Sequence, residues 1–84
     1  MVKQFLNQYI GKVDSDPPKF WLDWKHDLRH NQKRAYRLLD EALFLIADSP
    51  EIHERFFALN WATKCKAVEL TAAGILAEVL SVDT

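Results

Sequence analysis

The chain has little that could stiffen it by covalent chemistry. Of its 84 residues one is cysteine, Cys65, so no disulfide can form within a single copy. That excludes a disulfide scaffold and fits a reducing compartment. Only two glycines occur, Gly11 and Gly74, so there is no glycine-rich loop to cradle a phosphate. Only three prolines occur, Pro17, Pro18 and Pro50, which leaves two long stretches free of a strong helix breaker. The longest fully apolar run is Ala42–Ala47, against about 20 residues for a membrane span. The segment Met1–Gln8 lacks the apolar core of a signal peptide. Strand-like alternation, internal repeats and low-complexity tracts are also missing. The expectation is one soluble, cytoplasmic, helical domain.

What the chain does have is apolar residues, 49% of the total, and ten aromatic rings. At this length roughly 60% of the unfolded surface can be buried, so the core is thin. Net charge is -1, but it is unevenly spread. Residues 25–37 hold five Lys/Arg and one Asp, for +4, together with His26 and His30. The remaining residues hold six Lys/Arg and eleven Asp/Glu, for -5. A basic band on an acidic body is the one electrostatic feature.

Apolar residues at helical spacing predict a short helix over about 2–12, with Phe5, Tyr9 and Ile10 on its apolar side. Asp14–Pro18 breaks the chain, and Asp16 is the expected N-cap of the next helix, with Pro17 or Pro18 in its first turn. That helix runs over about 17–47. Its heptad stripe is Trp21, Trp24, Leu28, Asn31, Ala35, Leu38, Ala42 and Leu45, with Leu39, Leu43 and Ile46 widening it. It is read as continuous or kinked near 30–32, the alternative being a break there with Asn31 capping a new helix. Ser49-Pro50-Glu51 is a turn into a helix over about 50–80, with Ser49 as cap and Pro50 at the first helical position.

This last helix carries two apolar stripes, Ile52, Phe56, Leu59, Thr63, Ala67, Leu70, Gly74, Ala77 and Phe57, Trp61, Cys65, Val68, Ala72, Ile75, Val79. One neighbour covers one stripe, so the helix should lie in the middle of the assembly. Antiparallel pairing about the 48–50 turn places Ile46 by Ile52, Trp24 by Gly74 and Trp21 by Ala77. The small residues 72–74 then form a socket for Phe20, Trp21 and Trp24. From Ala67 to Val82 the helix is apolar nearly all round, and a second copy is expected to complete its burial as a homodimer with two-fold symmetry. The fold class is all-α: a short N-terminal helix and a long antiparallel helical hairpin, assembling into a homodimeric bundle.

Sites of chemistry are sparse. His26 and His30 lie one helical turn apart, a metal-ligand spacing, but His53 is too distant in the hairpin to be a third ligand, so no metal is implied. Cys65 lies between Lys64 and Lys66, which would activate an exposed thiol, but it falls on an apolar stripe and reads as packed. The acid pairs Asp40/Glu41 and Glu51/Glu54 are solvated helix-surface groups lacking the contrasting environments of an acid–base pair. No catalytic residue and no cofactor is implied, and an enzyme is not expected.

Two binding readings remain. Tyr36, Arg37, Phe57 and Trp61 form a candidate partner-binding patch, with Arg37 facing Trp61 in the hairpin register and in reach of a cation–π contact. These residues could equally bury in a dimer interface. Alternatively, Lys25, Arg29, Lys33, Arg34 and Arg37 form a basic helical face that binds nucleic acid, a nucleotide or another anion. The slightly acidic whole weakens that second reading. The leading expectation is a small non-enzymatic helical module that binds, and modulates or inhibits, a larger protein partner, of the kind phages and mobile elements encode.

Overall fold

The computed structural model describes residues 12–82. The helix expected over about 2–12, with Phe5, Tyr9 and Ile10, lies outside the described residues apart from Lys12. Among the described residues 83% are helical and none is in a strand, so the all-α class holds. Four helices are seen: α1 (Lys19–His30), α2 (Gln32–Asp48), α3 (Pro50–Phe57) and α4 (Trp61–Val82). Each of the two long helices expected beyond residue 16 is divided in two.

The entry to α1 differs from expectation. Lys12–Ser15 form a turn, with the Asp16 amide donating to the Lys12 carbonyl at 2.9 Å. The helix begins only after both prolines. Pro18 sits at the N-cap with ψ 167°, and its carbonyl accepts from Leu22 at 3.2 Å. Pro18 disfavours the helical conformation in Pro17, so Asp16 is too far upstream to cap.

The break between α1 and α2 falls at Asn31, the alternative weighed from the sequence. Its backbone, at φ -142° and ψ 60°, is not helical. Its amide donates to the Asp27 carbonyl at 2.8 Å, closing α1, and its carbonyl accepts from Ala35 at 3.0 Å, opening α2. The Asn31 side chain makes no capping bond. A side-chain clamp spans the break instead. Arg34 Nε donates to Asp27 Oδ2 at 2.6 Å and Arg34 Nη2 to Oδ1 at 2.8 Å. This two-pronged contact is the strong geometry of arginine with carboxylate, and it allows Asp27 to be buried.

The break resets the helical phase. In α2 the buried positions are Ala35, Leu38, Ala42 and Ile46. Leu45 and Leu43, which the uninterrupted stripe assigned to the interior, are exposed. Pro50 holds the first turn of α3, as expected, and the Ser49 carbonyl accepts from His53 at 2.8 Å, although the Ser49 hydroxyl does not cap. The second division comes at 58–60. The Asn60 side chain accepts from the Thr63 amide at 2.9 Å, and its carbonyl from Lys64, which starts α4 afresh.

Helix α4 packs against α1, α2 and α3. Ala67, Leu70, Thr71, Ala72, Ala73 and Leu76 are all buried. At 100° per residue these positions point in every direction around the helix, so the central placement read from its composition holds for this half. These six are buried within one chain, whereas beyond Leu76 the helix is half-buried or exposed, with Val82 at 85%. Trp21, Trp24, Ala72 and Ala73 share one core cluster with Phe20 packed against it, as the socket reading proposed. The indole N–H of Trp24 donates to Glu69 at 3.1 Å, more than a turn before Gly74. Lys66 pairs with Asp14 and ties the N-terminal turn to α4. Trp24, Leu38, Leu70 and Leu76 are the largest fully buried side chains near α4, each contributing about 1.5–3 kcal/mol by burial.

The close approach to α4 depends on small side chains. Ala73→Leu therefore destabilises the protein by about 1–3 kcal/mol despite adding apolar surface. Urea unfolding measures this, and unchanged stability would mean that residue 73 does not face a packed core.

Candidate interaction surfaces

The α3–α4 corner gathers aromatic rings on the outside of the molecule. Helix α3 has no buried residue. Phe57 ends it at 60% exposure and Trp61 begins α4 at 79%. His53, one turn before Phe57, packs against it at a tilt of 58° with ring centroids 4.6 Å apart. Phe56 meets Phe57 edge-on at 5.8 Å. Lys64 Nζ lies 5.0 Å from the centre of the Phe57 ring and 5.9 Å from that of Phe56. The Asn60 cap fixes where α4 starts, and thereby sets Lys64 over these rings.

Of the four residues assigned from sequence to one patch, Phe57 and Trp61 lie at this corner. Tyr36 and Arg37 are exposed on α2. Among the described residues no ring or cation contact joins them to Phe57 or Trp61, and the cation at the corner is Lys64, not Arg37. The cause is the turn at 58–60, which ends the straight register that placed residue 37 against residue 61. His53, Phe56 and Lys64 belong to the corner and were missed. For His53 the signal was present as i, i+4 spacing to Phe57, whereas Lys64 lies beyond the turn at 58–60.

The basic band is also divided. Lys25 leans over the Trp21 ring at 4.9 Å and pairs with Glu69 at 3.6 Å. Arg34 is committed to Asp27. Arg29, Lys33 and Arg37 are exposed, as are His26 and His30, whose rings lie 4.6 Å apart. The elbow at Asn31 therefore puts Lys25 and Arg29 on one helix and Lys33, Arg34 and Arg37 on the next, so they do not form a face of one helix. Asn31, Lys33, Arg34 and Arg37 line an open depression of about 410 Å³.

Cys65, expected to pack, is exposed. Its flanking cations are engaged elsewhere, Lys64 with the rings and Lys66 with Asp14. Among the described residues no three His, Cys, Asp or Glu side chains come together as a metal site. None of the described helices is long and apolar enough to cross a membrane.

Comparison with family models, with curated proteins and with solved structures gives no match.

Exposure separates the aromatic residues by role. Trp61→Ala and Phe57→Ala change stability by no more than about 0.5 kcal/mol. Trp24→Ala costs about 3–5 kcal/mol. Urea titration of the three variants checks this, and a loss at Trp61 equal to that at Trp24 would place Trp61 in the core.

Proposed function

We propose that the protein is a non-enzymatic, cytoplasmic binding module that docks its α3–α4 corner on a larger protein and modulates or inhibits it. The observation that carries this reading is the pair Phe57 and Trp61, both mainly exposed, beside a helix that buries nothing in its own core. Large rings left in water gain free energy when a partner covers them, and tryptophan is among the residues that dominate binding at the centre of interfaces. The His53, Phe56 and Lys64 contacts restrict the Phe57 ring before any partner arrives, which lowers the entropy lost on docking. The neighbouring acids Glu51 and Glu54 are exposed.

A second reading rests on the depression beside Asn31. Lys33 and Arg37 line it and remain exposed, with Arg29 on the preceding helix, and together they could hold the phosphates of a nucleic acid or nucleotide. Because Lys25 and Arg34 already have carboxylate partners, this surface offers three free guanidinium or ammonium groups, a modest charge for nucleic-acid retention.

A tagged pull-down from host lysate, split into nuclease-treated and untreated halves, separates the two. The binding-module reading expects one protein retained in stoichiometric amount after nuclease, lost with Trp61→Ala and Phe57→Ala while the helical signal is unchanged. It expects the triple change Arg29→Glu, Lys33→Glu and Arg37→Glu to leave that retention intact. Retained nucleic acid, abolished by the triple change and insensitive to Trp61→Ala, would instead establish the second reading.

A further inference from the structure

We propose that the outer face of α2 pairs with the same face of a second copy of the chain, antiparallel about a two-fold axis at Asp40. The inner face of α2 is set by Ala35, Leu38, Ala42 and Ile46. Opposite it, Lys33, Tyr36, Arg37, Asp40, Leu43 and Phe44 recur at steps of three, one, three, three and one, which makes a continuous seam along one side of the helix. All six are exposed, with Tyr36 at 57%, Leu43 at 48% and Phe44 at 78%. Among the described residues none of the six takes part in an ion pair or ring contact.

The order of charge along this seam selects the occupant. Cations hold its N-terminal half, Lys33 and Arg37, and acids its C-terminal half, Asp40, Glu41 and Asp48. Parallel pairing would set like charge on like. Antiparallel pairing brings Lys33 to Asp48 of the other copy and sets each Arg37 beside Asp40 and Glu41 of the other copy, so that the two Asp40 carboxylates, which meet at the axis, are each flanked by an arginine. The aromatic positions obey the same symmetry. Tyr36 and Phe44 lie four residues to either side of Asp40, so each ring meets its opposite number across the axis, in the arrangement that adds to apolar burial. An interface of this kind is self-complementary, as a two-fold axis demands. A face evolved for an unlike partner has no need to be its own complement.

Size sets the strength. A helix of 17 residues offers a seam about 25 Å long. That buries less than the roughly 1,200 Å² of a stable dimer, so the pairing is reversible and depends on concentration. The Phe57–Trp61 corner is not part of this seam.

Sedimentation velocity on the full chain, from about 10 µM to about 1 mM, tests the proposal. The wild type should shift from monomer towards dimer across this range. Arg37→Glu leaves six acids and no cation at the axis, and Asp40→Arg sets four arginines there against the two Glu41, so each alone should weaken dimerisation, the first at least tenfold, with the helical circular dichroism unchanged. Mixed in equal amounts the two variants should pair with each other at wild-type strength, because the axis then holds four acids and two arginines, as in the wild type. Phe44→Ala should weaken the dimer and Trp61→Ala should not. A wild type that stays monomeric at 1 mM would assign the seam to another occupant and overturn the proposal. So would single variants that dimerise as the wild type does, a mixture that fails to pair, or a dimer lost with Trp61→Ala.

Discussion

A carboxylate that leaves water must be paired, and the pairing of Asp27 with Arg34 governs the shape of this protein. Asp27 is on the last turn of α1 and is buried; Arg34 is on the first turn of α2 and reaches back over Asn31 with two donors. Buried alone, Asp27 would cost several kcal/mol. Held by the fork of Arg34 it becomes a bracket that fixes the angle of the elbow. The elbow has a structural consequence. A straight helix over 17–47 could lay one stripe along α4, whereas two helices meeting at an angle cover more of its circumference. Trp21 and Trp24 come from one arm, Ala35, Leu38 and Ala42 from the other, and all join one core with Leu70, Ala72, Ala73 and Leu76.

The same bracket decides which residues are left to act outside. Once Arg34 is bound to Asp27 and Lys25 to Glu69, the basic band loses two of its five cations to internal structure. Glu69 serves two groups, accepting from the indole of Trp24 and pairing with Lys25, so α1 is fastened to α4 by hydrogen bond and charge as well as by apolar contact. Stability is concentrated around the second half of α4. Helix α3 and the first turns of α4 contribute little to the core, and there the chain keeps Phe57 and Trp61 in water. The division of labour is between a packed half that holds the fold and an aromatic corner free to meet a partner.

The helical class, the break at the two prolines, the turn at Ser49–Glu51 and the central position of residues 67–76 were legible because each rests on a strong local signal. Proline fixes its own dihedral and forbids a donor, and a helix apolar on every side has to be enclosed. The interruptions at Asn31 and at 58–60 were harder to read. Asparagine tolerates a helix interior, and whether it caps depends on contacts remote in sequence, such as that of Asp27 with Arg34. An apolar periodicity carried across an unseen break keeps its spacing and loses its phase. This is why Leu45 and Cys65 were placed inside and are exposed, and why the register put Arg37 on Trp61. At the candidate surface the residue types were visible, and His53 and Phe56 lie beside Phe57 on α3, but Lys64 reaches the rings only through the turn at 58–60.

The clamp across Asn31 is open to direct measurement by a double-mutant cycle on Asp27→Ala and Arg34→Ala, read by urea unfolding. The account predicts a coupling of about 1–3 kcal/mol between the two positions, with Asp27→Ala partly relieving the loss caused by Arg34→Ala, since removing the arginine alone strands a buried charge. Additive losses, with coupling near zero, would contradict it and leave the elbow to backbone geometry and apolar packing alone.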